Sequence, residues 1–403
     1  MKTIKFYTLG CKVNQYDSQS IRERFLARGF KEIFDDRKPD YFLINTCSVT
    51  SNADQKSRNI IRGCIKVNPQ ARLVVTGCLG EKDRQALSAV KGIDYIINKT
   101  FFPDGISTFC GHTRAFLKVQ DGCDNFCAYC KVPLVRGRSR SRAVEVIVNE
   151  AKQLVKAGYK EIVLTGICLG SYGKDLHPKL TMVDLLKKLE IIAGLCRIRL
   201  SSIEAKDVSS ALIARMATSK KLCRHLHIPM QSGDDRILKL MQRRDSMKTY
   251  IQLIKNIKNK IKGVGITTDV IVGFPGETDQ AFEHTLQLLK AVEPLRVHFF
   301  PYSARSGTPA FLMPRKVSPD KIKKRIKLAQ TLVNKLSGRY LRRLCDKKIE
   351  ILFEGRSRKY PEFYEGYSDS YIKVISRFKG TAANRIVSLK VKKIIDDSLI
   401  VAG

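Results

Sequence analysis

No stretch of this 403-residue chain approaches eighteen consecutive uncharged apolar residues, so no membrane-spanning helix and no membrane partner are expected. The start, "MKTIKFYTLGCKVNQYDS", turns polar before a long apolar run develops. No signal peptide is therefore expected, and the cytoplasm is the expected compartment. The chain also lacks a long repeat and a low-complexity linker. Acidic residues are scarce: 38 Asp and Glu stand against 74 Lys and Arg, a formal net charge of +36. Such a field attracts polyanions, with nucleic acid the first candidate and a merely solvated basic surface the plainer alternative.

Cysteine, by contrast, is plentiful. Twelve cysteines in a chain of the cytosolic type point to metal or catalytic groups rather than to disulfides. Cys64, Cys110, Cys196, Cys223 and Cys345 stand alone and read as small buried hydrophobes. The other cysteines fall into patterns that depend on the expected fold.

Residues 1 to about 108 alternate short apolar strands ("IKFYTL", "DYFLINT", "RLVVT", "DYIIN") with amphipathic helices ("SQSIRERFLARG", "DQKSRNIIRGCIK", "EKDRQALSAV"). That order predicts a parallel βαβ domain. Ligands of such a sheet collect at the carboxyl ends of its strands. Cys11, Cys47 and Cys78 each follow one of three successive strands, so the fold should gather them on one rim.

From about 109 to 340 the pattern restarts with six strand–helix units, which predict a partial (β/α)6 barrel. Residues 341–403 are short alternating runs between polar turns and predict a small all-β barrel. The whole is thus an α/β chain of three domains. Between Arg315 and Lys348, thirteen basic residues accompany only Asp320 and Asp346, much of this in a helix opened by Ser318 and Pro319. That helix reads as a phosphate-binding face.

The first barrel strand runs directly into "DGCDNFCAYC", where Cys123, Cys127 and Cys130 occupy one short loop. Three soft thiolates suit zinc or an iron–sulfur cluster. Zinc would require a fourth ligand, for which Cys110 or His112 is the nearest in sequence. A four-iron cluster held by three cysteines keeps one iron open for a small molecule.

The CxxxCxxC spacing with Tyr129 before the last cysteine resembles the signature of the radical S-adenosylmethionine (SAM) enzymes. "TLGCKVNQYDS", "INTCSVT", "VVTGC", "RGRSRSR", "HLHIPMQSG", "TTDVIVGFPGET" and "YSARSGTP" extend the resemblance to the methylthiotransferases of that superfamily. This resemblance implies a 4Fe-4S cluster on Cys123, Cys127 and Cys130 whose open iron binds SAM. It also implies a second, auxiliary 4Fe-4S cluster on Cys11, Cys47 and Cys78, and a C-terminal RNA-contacting domain of the TRAM type. Tyr129, Gly273 and Gly276 would lie against the cofactor, and the basic loop Arg136, Arg138, Arg140, Arg142 against RNA.

"TLGCKVNQYDS" with "RGRSRSR" is most similar to the branch that methylthiolates C2 of N6-threonylcarbamoyladenosine at position 37, in the tRNA anticodon stem-loop. Isopentenyladenosine-37 and a ribosomal-protein aspartate are the substrates of the other branches, and a noncatalytic metal-containing RNA-binding protein is the reading from another class. The resemblance further implies an electron donor and a sulfur source, with the chain acting as a monomer. Cys168, at the end of the second barrel strand, departs from the family pattern and reads as a buried thiol or as a neighbour of the cofactor. His225 and His227 alternate along one strand, and packing is their plain reading.

Overall fold

The structure is a computed structural model that describes residues 1–78, 92–97, 105–396 and 399–402. The helix expected at 81–90 lies outside the described residues. The N-terminal sheet has the order β2-β1-β3-β4-β5, with β1 Thr3–Thr8, β2 Lys31–Glu32, β3 Tyr41–Thr46, β4 Arg72–Gly77 and β5 Tyr95–Ile96, all parallel. Ile44, Leu43, Val75 and Ile4 are almost fully buried, as β-branched and leucine runs covered on both faces should be.

Helix α1 spans Lys12–Ala27 and α2 spans Ser51–Val67. Both start earlier than their apolar period predicts, and α1 begins immediately after Cys11. Its first turns bury Asn14, Asp17 and Ser18 rather than apolar side chains, so hydrophobic periodicity does not mark them.

The central domain is a six-stranded arc. β6 (Ala115–Lys118), β9 (Glu161–Thr165) and β10 (Arg197–Leu200) pair in parallel, as do β11 (His225–His227), β12 (Gly265–Val272) and β13 (Arg296–Pro301). Isolated parallel bridges, Ile198 to Leu222 and Ser202 to His227, join the two halves. A small ribbon, β7 (Gln120–Asp121) with β8 (Arg140–Ser141), frames the loop after β6. Helices cover the outer face: Ile266, Val270 and Val272 of β12 share one core with Ile254, Ile257 and Leu289. The alternation of a strand therefore turns Thr267 and Asp269 to the concave face.

The arc does not close between β6 and β13, and the N-terminal domain spans that gap. On one side Lys118 pairs with Asp17 of α1 at 2.5 Å. On the other, Ser51 meets Ser303 and Arg305 donates to the Ser48 carbonyl and to Asp54, both at 3.0 Å.

The C-terminal strands β14 (Lys348–Arg356), β15 (Tyr364–Ser368), β16 (Lys373–Ser376), β17 (Ile386–Asp396) and β18 (Leu399–Ala402) form a closed barrel in the order β14-β15-β16-β18-β17. β15, "YEGYS", has no apolar alternation and is absent from the sequence expectation. This barrel seals the amino end of the arc. Arg199 donates to the carbonyls of Ser368 and Asp369, Arg224 pairs with Asp369 at 2.6 Å, and Tyr371 sits against His225. Beneath lies Glu161, 0% exposed, held by Arg199 at 2.6 Å and flanked by Arg114 and Arg197.

The long helix Pro319–Arg342 has Ser318 at its N-cap position and Pro319 in the first turn, as expected. Twelve of the thirteen cations between Arg315 and Lys348 are exposed. Arg325 is not one of them; it is buried against Glu277 and Asp279. Cys64 and Cys223 are buried as expected, while Cys110 and Cys196 are exposed. Among the described residues no helix is long and apolar enough to cross a membrane.

Candidate active site

Parallel register sets the first cysteine group. Thr8 lies beside Asn45 and Thr46 beside Gly77, so β1, β3 and β4 end together, and Cys11, Cys47 and Cys78 leave the sheet on one rim. Gly10 (φ +97°) permits the turn, and a Cβ there would lie 2.8 Å from the Cys47 Cβ and 2.9 Å from its Sγ. Asn14 stitches the rim by donating to the Leu9 and Thr46 carbonyls at 2.8 and 2.9 Å. Cys47 and Cys78 are buried and Cys11 is exposed. Burial pushes the Cys47 thiol up to about 11, and the nearby Cys78 and Cys11 add to the shift.

The second group follows the ribbon. Gly122 (φ +75°) passes so close to Arg138 that a Cβ would lie 2.0 Å from its carbonyl oxygen. The loop is pinned by Cys123 N–H to the Gly137 carbonyl (3.1 Å), Ala128 N–H to Met241 (3.0 Å) and Cys130 N–H to Cys127 (3.0 Å). Burial raises the thiols of Cys127 and Cys130, the latter to about 12. Cys168 lies against Cys123 and within 3.2 Å of the Ser171 hydroxyl, and its backbone N–H donates to Gln120 at 2.9 Å. It is both buried and a neighbour of the cysteine loop. Tyr129 stands edge-on to Phe274, with ring centres 6.4 Å apart, and borders Cys127.

Cys110 and His112 precede β6, whereas the cysteine loop follows it, and His112 is packed on Phe109 and Phe116. No fourth zinc ligand comes from there. Among the described residues, the three metal-binding side chains whose ligand atoms all lie within 4.8 Å of one another are His227, Asp269 and His298, so neither cysteine group closes that tightly. A tetrahedral zinc with Zn–S of about 2.3 Å needs sulfurs about 3.8 Å apart. The wider spread and the pure thiolate donor set fit a four-iron cluster better than a single ion.

Beside Cys127 opens a cleft of about 570 Å³, lined in part by Asn125, Glu204, Lys206 and Arg243. Arg243 is buried and pairs with Glu204 and Asp245, yet its Nε has no hydrogen-bond partner, nor does the buried Oδ2 of Asp207 nearby. Unsatisfied buried polar atoms around a cavity are what a polar ligand would complete. Sequence reading missed Glu204 and Arg243; the one available signal was that Glu204 follows the third barrel strand.

The basic loop divides in two. Arg138 and Arg140 are exposed, Arg138 leaning on Asp124 at 2.7 Å. Arg136, with its side chain only 1% exposed, pairs with Asp121 at 2.7 Å, reaches Asp17 at 3.6 Å and donates to Asn14. Arg142 pairs with Glu150 at 2.6 Å and donates to Tyr16 at 2.9 Å. The expectation that Arg136 and Arg142 face RNA is therefore corrected: both tie α1 to the barrel through buried carboxylates. Gly273 (φ +82°) also has a packing reason, since a Cβ there would meet Ile322 at 2.3 Å. Gly276 (φ +85°) closes the same turn, its N–H donating to the Arg315 carbonyl.

Residues 117–289 match the radical SAM superfamily, and residues 3–98 match a family described as Uncharacterized protein family UPF0004. Threonylcarbamoyladenosine tRNA methylthiotransferase MtaB of Bacillus subtilis is 36% identical, over 98% of this chain and 94% of that protein. The MtaB of Thermotoga maritima is 35% identical over 99% and 96%. The chain belongs to the radical SAM tRNA methylthiotransferases. A tRNA-2-methylthio-N(6)-dimethylallyladenosine synthase of Clostridium tetani is also 36% identical, over 97% and 94%. The fold is shared with a radical SAM methyltransferase, TsrM of Kitasatospora setae, at a TM-score of 0.56 and 13% identity over 77% of each chain. As a member of this family the protein is an enzyme that transfers a methylthio group to tRNA, with SAM and 4Fe-4S clusters as its cofactors.

Proposed function

We propose that this methylthiotransferase acts on C2 of N6-threonylcarbamoyladenosine at position 37 of tRNA. For the nucleoside the reading follows the Bacillus subtilis and Thermotoga maritima relatives; for the chemistry one observation carries it: two three-cysteine groups, borne by separate domains, lie where the N-terminal domain spans the open side of one barrel. Cys123, Cys127 and Cys130 would hold the cluster that binds SAM, with Tyr129 beside it and the Glu204–Arg243 cleft receiving the rest of the cofactor. Cys11, Cys47 and Cys78 would hold the auxiliary cluster. With both bound, these groups supply a hydrogen-abstracting radical and the sulfur, chemistry that a non-acidic C–H bond demands and side chains cannot provide.

The chain's own residues set position. Arg136, with Asp17 and Asp121, fixes the rim of one cysteine group against the loop of the other. An anticodon loop can splay out a base, and a deep concave face accepts it. Arg138, Arg140 and the exposed cations of the Pro319–Arg342 helix would neutralise phosphates. Electrons and sulfur come from outside the chain, which we expect to act as a monomer in the cytoplasm.

The test is mass spectrometry of tRNA nucleosides from cells with and without the gene. Loss of the 2-methylthio derivative of threonylcarbamoyladenosine supports the reading. Loss of the dimethylallyl analogue instead, the product named for the Clostridium tetani relative, would move the substrate assignment to that nucleoside.

A further inference from the structure

On the concave face of the arc, five side chains form a hydrogen-bonded chain. His225 Nε2 meets the Thr267 hydroxyl at 2.9 Å, and that hydroxyl meets His227 Nδ1 at 2.9 Å. His227 Nε2–H then donates to Asp269 Oδ2 at 3.1 Å. Asp269 Oδ1 accepts from His298 Nδ1–H, also at 3.1 Å. Asp269 therefore spends both oxygens on histidines, and the chain ends at His298, whose side chain is 50% exposed and whose Nε2 has no partner among the described residues.

Two cations stand along this chain. Arg296 lies two residues back on β13, on the same face, with its guanidinium 5.8 Å from the Tyr371 ring. Lys12, next to Cys11, is close enough to act electrostatically on His225 and Tyr371. Neither cation has an ion-pair partner among the described residues, and Asp269 is already shared. Among the described residues, this chain thus lies beside two unpaired cations, and both oxygens of its one carboxylate, Asp269, are taken.

A threonylcarbamoyl group ends in a carboxylate, whereas a dimethylallyl group carries no polar atom. We propose that His298, held through Nδ1 by Asp269 and with Arg296 two residues back on the same face, binds as the imidazolium, the form that offers an N–H at Nε2 as well, the carboxylate of the N6 side chain and so selects threonylcarbamoyladenosine. The inference rests on the substrate reading above and adds to it the residue that enforces the choice. A charge-assisted hydrogen bond in such a site discriminates by about 10- to 100-fold, and a polar pocket left unpaired by an apolar group rejects it further.

The experiment measures Kd of the reconstituted full-length protein for three anticodon stem-loops that differ only at position 37: threonylcarbamoyladenosine, dimethylallyladenosine and adenosine. The wild type should bind the first most tightly. His298→Ala should lose about 10- to 100-fold on that stem-loop alone, and His298→Lys, which keeps a cation, should retain more than the alanine variant does. Unchanged selectivity in His298→Ala, or an equal loss on all three stem-loops, would overturn the inference while leaving the substrate reading intact. Wild-type preference for dimethylallyladenosine would instead sink the substrate reading, and the inference with it. One metal ion per chain beyond the clusters, lost in His298→Ala, would assign the triad to a cation and likewise overturn it.

Discussion

Replacing Arg136 separates architecture from RNA binding within one basic loop. Its guanidinium is buried between Asp121 and Asp17, whose Oδ2 already lacks a hydrogen-bond partner. Arg136→Met keeps the side-chain volume and removes the charge. Two carboxylates from different domains are then left to Lys118, which touches them at 2.5 and 2.9 Å. Breaking a buried ion pair from one side costs about 3–5 kcal/mol, and because Lys118 remains the lower end applies, about 3 kcal/mol. At about 2–4 °C per kcal/mol for a domain of this size, thermal unfolding should shift down by roughly 6–12 °C.

The exposed pair behaves in the opposite way. Arg138→Ala with Arg140→Ala should leave the midpoint within about 2 °C, since exposed substitutions rarely exceed about 0.5 kcal/mol. That double variant should flatten the dependence of log K for tRNA on log salt by about 0.7–0.9 for each phosphate it no longer neutralises. Arg136→Met should keep the wild-type slope. A variant of Arg136 that melts normally but drops about one unit of slope would refute the assignment and return this residue to the RNA face.

Three further outcomes follow from the site and its supports. Cys78→Ala should still cleave SAM but fail to thiomethylate, while Cys127→Ala should do neither; iron should fall from about eight to about four per chain in each. Normal thiomethylation by Cys78→Ala would exclude the N-terminal group as a cluster site. Gly10→Ala forces a residue with a Cβ to φ +97° against Cys47 and should also lose about half the iron in a folded protein, as read by iron assay and circular dichroism. Glu161 is held below the ordinary glutamate range by Arg199, Arg114 and Arg197 against the opposing effect of burial. A depressed carboxyl contributes its stability above the unfolded value and loses it as pH falls toward the folded one. Urea unfolding from pH 7 to pH 3 should therefore show the wild type losing stability below about pH 4.3 that Glu161→Gln lacks throughout; parallel curves would show that the ion cluster contributes nothing.

Much of this protein is legible in its residues because the relevant chemistry is local. Thiolates at CxxxCxxC spacing lie on one loop whatever surrounds them. Cysteines after successive parallel strands must share a rim, because parallel register aligns the strand ends. The six barrel strands and their helices follow from apolar period alone. β15 escaped because its Tyr and Gly residues alternate without apolar contrast, and the start of α1 escaped because its buried face is polar, Asn14 and Ser18 bonding to their own sheet and Asp17 to the barrel.

What only the tertiary structure decided concerns partners distant in sequence. In "RGRSRSR" four arginines look equivalent. Arg136 finds Asp17 and Arg142 finds Tyr16 and Glu150, and these buried acceptors turn two of the four inward. Gly273 reads as a cofactor contact until Ile322, from a helix that starts some fifty residues later, fills the space beside it. His225, Thr267, His227, Asp269 and His298 come from three strands, and only the parallel register of β11, β12 and β13 makes them one chain. A sequence fixes which groups it owns and the spacing of neighbours along it; which charges are neutralised, and which are left facing an open concave surface, depends on contacts that form only when the domains close on one another.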